Sequence, residues 1–148
     1  MSIDTITTDL VEAERLGLDL WQRWTALWNG DLALADQLLS PGFRIHFGNA
    51  VSVDTDTLRG PADLVAFIAQ HRAQLPGVRY EPDGPPIVAF EVVDGVATGR
   101  LAARWTVRRT DATGRLVRKS GIDVLAVTGG RITGVWSVTG DRLFGQPG

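Results

Sequence analysis

The chain of 148 residues is long enough for one domain with a sizeable core, and with 44% hydrophobic and 22% charged residues it has an ordinary globular balance. A net charge of −2 with scattered basic residues excludes the basic patch or stripe that a nucleic-acid partner needs. The lack of Cys excludes disulfides, thiolate metal sites and cysteine nucleophiles, and no apolar run reaches the roughly 18 residues of a membrane span.

The first stretch, MSIDTITTDLVEAER, is acidic and polar and lacks the apolar core of a signal peptide, so a cytoplasmic protein is expected. From Asp9 to Trp28, Ala13, Leu16, Leu20, Trp24 and Leu27 recur at helical spacing, which predicts a core-facing helix. Asp9 and Glu12 read as its capping box, and Asn29-Gly30 as its stop. Asp31 is placed to cap a second, short helix through Leu39, ended by Ser40-Pro41-Gly42. FRIHF (43–47) alternates like a short strand, and 48–60 reads as a polar loop. Pro61 suits the first turn of a third helix that runs to about Gln74. After Pro86 the hydrophobic period changes to two. Asp94-Gly95, TDATG and Gly129-Gly130 then separate four antiparallel strands. The whole chain, 1–148, is expected to form a single α+β domain.

One carboxylate stands out, Asp123 in the apolar strand GIDVLAVT. Counting back from a Gly129-Gly130 turn sets Asp123 opposite Trp136. A two-residue turn at Ala112-Thr113 sets it opposite Ala102, with Arg100 and Arg104 as diagonal neighbours. On this register one sheet face carries Arg104, Asp123, Leu125, Val127, Ile132, Trp136 and Val138. A mainly apolar face around one carboxylate looks like the wall of a ligand pocket.

The segment TGRLVRKSGIDVLAVTGGRITGVWSV resembles the C-terminal pattern of SnoaL-like polyketide cyclases: a TG turn, an apolar strand bearing an Asp, a G-x-I hairpin, then a Trp. WNGDLALADQLLSPGFRIHF and GPADLVAFIAQHRAQLPGVRY agree more loosely. The resemblance implies the nuclear transport factor 2-like fold: a cone-shaped roll of three N-terminal helices on a curved, mostly antiparallel sheet, often in a homodimer. It also implies that Asp123 acts as acid/base on an apolar substrate, polyketide-like or polycyclic, with no cofactor. In such cyclases the Asp takes a proton α to a carbonyl, and the enolate closes a ring by aldol addition. Two features depart from the pattern. RWTVRRTDATG carries no His before the turn, and Gly140 stands where an acid commonly follows the Trp.

Each candidate has a plainer reading beside the functional one. Asp123 is either a pocket base or a structural partner of Arg104, and Arg104 either binds a substrate oxygen or pairs across strands. Trp136, with Leu125 beside it, is a pocket wall or core. His46 is a second acid/base or a structural histidine, while His71, beside Arg72 on the third helix, reads as exposed. Trp21, Trp24 and Trp28 read as core, with one able to close the pocket. The two histidines have no carboxylate cluster near them in sequence, so no metal site is expected. The leading function is an aldol-type cyclase or isomerase. The alternatives are a non-catalytic ligand-binding or dimeric scaffold domain, and an epoxide hydrolase in which Asp123 and Arg104 activate water.

Overall fold

The computed structural model describes residues 3–49 and 54–145, with side chains from residue 9 onward. Helix α1 spans Ile3–Trp28. Asp9 is therefore interior to the helix rather than its cap, and Glu12 instead pairs with Arg15 at 2.7 Å. The core stripe is as expected and wider, with Ala13, Leu20, Trp21, Trp24, Leu27 and Trp28 all buried. After Gly30, Leu32–Leu34 form a 3-10 turn whose preceding Asp31 makes no side-chain cap. Helix α2 is a single turn, Ala35–Leu38. Strand β1 begins at Leu39 and runs to Phe47, so the predicted second helix is shorter and the strand longer than the FRIHF segment. Buried Leu39, Phe43 and Ile45 account for the difference, because the chain is already anchored in the core at Leu39. Helix α3, Gly60–Gln74, starts with Pro61 in its first turn, as expected. Strand β2, Arg79–Pro82, was hidden by its brevity and its closing proline.

Strands β3 (Ile87–Val93), β4 (Val96–Thr110), β5 (Leu116–Thr128) and β6 (Arg131–Thr139) form the predicted meander. The sheet order is β1-β6-β5-β4-β2, with β3 also pairing β4. Only the β1–β6 pairing is parallel among those described. Residues of all three helices join those of the sheet in one hydrophobic core, giving the expected α+β architecture of helices on a curved, mostly antiparallel sheet. Among the described residues no helix is long and apolar enough to cross a membrane.

Two of the three hairpin turns follow the sequence reading. Asp94 and Gly95 have φ of 52° and 76°, and Gly129 and Gly130 have 58° and 78°, as two-residue hairpins require. The third turn differs. Asp111 N–H bonds to the Arg115 carbonyl at 2.9 Å, which leaves Ala112, Thr113 and Gly114 as a three-residue loop with Gly114 at φ 83°. Asp111 Oδ1 accepts from Thr113 N–H, Thr113 O–H and Arg115 N–H, fixing this longer loop. Asp123 consequently pairs with Ala103, not Ala102.

A second shift lies in β6. Val127 pairs with Ile132 but Ala126 pairs with Gly134, so Thr133 is an extra, bulged residue. Asp123 therefore faces Ser137, not Trp136. Together the two shifts reassign the faces. Leu101, Ala103, Trp105, Asp123, Leu125, Val127, Ile132, Val135 and Ser137 are all buried on the helix side. Trp136 and Arg104 lie on the opposite, outer side, where Ile122 and Val138 are also exposed. Gly121 sits directly across from Trp105. A Cβ there would fall on the Trp105 indole, so only glycine lets that ring lie flat over β5.

Candidate active site

Between α1, α3 and the inner sheet face lies a cavity of about 160 Å³. Its lining is largely aromatic: Trp21, Trp24, Trp28, Phe47, Phe67, His71, Tyr80 and Trp105, joined by Asp123, Ser137, Thr25, Asn49, Ile45 and Thr139. Trp28 is the hub of this aromatic shell, with edge-on contacts to Phe47, Phe67, His71 and Tyr80 at centroid distances of 5.7–6.4 Å.

Asp123 is 5% exposed, and its partners come from three elements. The Trp24 indole N–H of α1 donates to Oδ2 at 2.9 Å, and the Trp105 indole N–H of β4 donates to Oδ1 at 2.9 Å. Ser137 of β6 faces Asp123 across the strand pair, and its hydroxyl favours the charged form of the carboxylate. Burial pushes the Asp123 carboxyl above its ordinary range, against the polar groups of Ser137, Trp24 and Trp105 that favour the charged form. Among the described residues no arginine or lysine is a cause of this shift. The carboxylate is therefore held in one orientation yet left a stronger base than an exposed aspartate.

A second pair of titratable groups lines the same cavity. His71 Nε2 lies 2.8 Å from the Tyr80 hydroxyl. Burial lowers the His71 pKa, helped by the charges of Arg72 and Arg109, so the imidazole is neutral near pH 7. Tyr80 is pushed upward by burial and by the negative charge of Asp123, and so stays a phenol. Asn29, the residue that ends α1, bonds both the N–H and the carbonyl of Tyr80 at 2.8 Å and fixes β2 at that point. Trp21 Nε1, buried in the wall of the cavity, has no hydrogen-bond partner among the described residues. An acceptor on a bound molecule would satisfy such a donor.

Of the five residues assigned to the site from the sequence, Asp123, His46, Arg104, Trp136 and Leu125, only Asp123 lines this cavity, whereas Trp21, Trp24 and Trp28, expected as core with one able to close the pocket, all line it. Leu125, fully buried, is core. Arg104 lies on the outer side, 3.9 Å from Asp83, so the register shift in β4 separates it from Asp123. His46 and Trp136 are neighbours in the β1–β6 register and stack on each other at 5.5 Å, away from the cavity lining. The bulge at Thr133 turns Trp136 outward and leaves Ser137 in its place. Conversely, His71 is not exposed as its neighbour Arg72 suggested. Leu64, Phe67, Ile68 and His71 share one face of α3, and that helical spacing was the signal that could have found it. Tyr80 carried no comparable signal.

A family model described as the SnoaL-like domain matches residues 21–135 of the chain. Among solved structures, the chain is similar to a protein from Agrobacterium tumefaciens assigned as an isomerase of the SnoaL-like family. Identity is 21%, with 85% of this chain and 98% of that one covered at a TM-score of 0.63. A protein from Jannaschia sp. assigned as a SnoaL-like polyketide cyclase gives 14% identity, 86% and 87% coverage and a TM-score of 0.62. IdmH from Streptomyces antibioticus, assigned as a polyketide cyclase, gives 18% identity, 82% and 89% coverage and 0.61. At these identities the structural likenesses show the fold. A search of curated proteins returns no match.

The Asp123 environment sets a pH dependence of stability. Its pKa is higher in the fold than in the unfolded chain, so protonated Asp123 favours the fold and ionised Asp123 opposes it. That contribution is complete below the ordinary value of 3.8 and is lost as pH rises through the raised folded value. The Asp123→Asn variant should therefore gain in Tm relative to the parent as pH climbs from about 3.8 towards neutrality. A Tm difference that stays constant, or moves in favour of the parent, would contradict this.

Proposed function

The chain belongs to the SnoaL-like domain family, and on that premise we propose an enzyme in which Asp123 moves a proton α to a carbonyl of an apolar small molecule. The observation that carries this reading is the buried carboxylate on the wall of an aromatic cavity, held by two indole N–H groups. Desolvation strengthens it as a base, and the indoles fix its aim, so a bound substrate meets it without reorganisation. In the forward step the substrate C–H bond breaks and the proton passes to a free lone pair of Asp123. The electron pair spreads onto the carbonyl oxygen. The enolate then either takes the proton back at another carbon, as in an isomerase, or attacks a second carbonyl, whose oxygen takes the proton from Asp123 and so restores the base, as in an aldol cyclase.

Epoxide hydrolysis by Asp123 with Arg104 loses its geometric basis, because Arg104 lies on the other side of the sheet. A ligand-binding domain without catalysis would use the same cavity, but it gives no reason to retain a carboxylate against the cost of its burial. We place the enzyme in the cytoplasm as a homodimer joined through the outer sheet face. There Ile122 is 43%, Trp136 47% and Val138 52% exposed in the single chain. Light scattering at micromolar concentration should give twice the 16.0 kDa chain mass, and a single-chain mass would remove the dimer.

The catalytic role is read from solvent deuterium entering a ketone probe such as 2-indanone, followed by proton NMR. The parent should accelerate exchange α to the carbonyl, and Asp123→Asn should lose about 100-fold or more of that acceleration. Equal rates for parent and variant would sink the role assigned to Asp123.

A further inference from the structure

We propose that Tyr80, positioned by His71, is the donor that receives the substrate oxygen opposite Asp123, and that the site takes a neutral carbonyl compound whose reacting part is about one ring. The inference rests on the reading of Asp123 as the base, but its geometry is separate. Tyr80 stands on β2 and His71 on α3, whereas Asp123 stands on β5. Trp105 touches both groups, its N–H on Asp123 and its ring in a T-shaped contact with Tyr80, centroids 5.5 Å apart. Both groups line the one cavity.

With the proton of neutral His71 on Nε2, that N–H donates to the Tyr80 oxygen, and the phenol hydrogen is left for an acceptor in the cavity. Hydrogen bonds in such a chain polarise one another, so the phenol becomes a stronger donor than it would be alone. Asn29 holds the Tyr80 backbone at both its polar atoms, so little rearrangement precedes binding.

The charge balance favours a donor at this place. Before reaction the cavity holds one negative charge, on Asp123, and that charge disfavours ionisation of Tyr80. As the substrate C–H bond breaks and its proton moves to Asp123, the charge moves to the substrate oxygen. The repulsion that weakened Tyr80 as a donor disappears in the same step. Tyr80 keeps its proton and offers a hydrogen bond, with the total charge unchanged throughout.

Size and polarity limit the substrate. A dry cavity of about 150 Å³ accommodates benzene, and the space between these groups is about 160 Å³, so it holds about one ring of the substrate while its open side leaves room for the rest. No Lys or Arg is among the described residues of its wall, so nothing there pairs with an anionic substituent. The aromatic wall suits a flat ring with one carbonyl or enol oxygen.

A substituted phenol tests this, because it mimics an enol and its anion mimics the enolate. The probe is 4-nitrophenol, whose neutral and ionised forms differ in absorbance, with 4-nitrotoluene as a control of similar shape lacking the hydroxyl. Asp123→Asn should bind the phenolate form more tightly than the parent does. Adding Tyr80→Phe should then weaken phenolate binding about tenfold or more, leaving nitrotoluene affinity unchanged. His71→Gln, which can still donate through its amide, should keep most of the effect, and His71→Leu should lose it.

An unchanged phenolate affinity in the Tyr80→Phe double variant overturns the proposal. An equal loss for nitrotoluene does so too, since it would reveal a packing role. Failure of both probes to bind the parent and Asp123→Asn overturns the ligand class. These measurements need no proton abstraction, so they stand or fall apart from the deuterium-exchange test of Asp123.

Discussion

The bridge from Trp24 through Asp123 to Trp105 is the interaction on which the rest of the site depends. A carboxylate in the middle of an apolar sheet face is among the most costly groups to bury, several kcal/mol after relaxation. Here it accepts from an indole on the longest helix and another on the longest strand, with Ser137 facing it across the strand pair. Each hydrogen bond to the charged group returns about 1.5–3 kcal/mol. Desolvation still prevails, which is why the pKa is raised rather than lowered. The strand pairing, the glycine opposite Trp105 and the bulge that brings in Ser137 all serve to hold one base in one place.

The aromatic shell around this bridge performs two tasks at once. Trp21, Trp24 and Trp28 pack the helix onto the sheet, and all three are buried in the core. The same three line the cavity, so core packing and pocket wall are one layer. Polar groups enter that layer at few points. Asp123 and the His71–Tyr80 pair bring its titratable groups, and the buried Nε1 of Trp21 is a donor without a partner among the described residues. Convergence of a few polar groups on a concave aromatic surface is what a small-molecule site requires.

Much of this was legible in the sequence. The α1 stripe, Pro61 at the start of α3 and the left-handed pairs Asp94-Gly95 and Gly129-Gly130 each follow from local chemistry. Asp123 stood out because a lone carboxylate in an apolar strand has no ordinary structural reason. What local chemistry did not supply was strand register. TDATG admits a two- or a three-residue turn, and the carboxylate of Asp111 selects the longer one through three hydrogen bonds. Thr133 gives no sequence sign of being a bulge. Each is a shift of one residue, and a one-residue shift moves a side chain to the other face. That is why Arg104 and Trp136 were expected beside Asp123 and stand outside, while Ser137 and Trp105 stand within. Tyr80 was missed for a different reason: a four-residue strand next to a proline carries too little pattern to be read.

The central claim is that Asp123 is a buried carboxylate whose basicity is raised by desolvation rather than lowered by a cationic partner. Carbon-13 NMR titration of the aspartate side-chain carboxyls, with Asp123 assigned by its loss in Asp123→Asn, measures this directly. The account predicts that its resonance titrates above the ordinary value of 3.8. Titration at or below that value would contradict it, because the group would then be stabilised as an anion and poorly suited to take a proton from carbon.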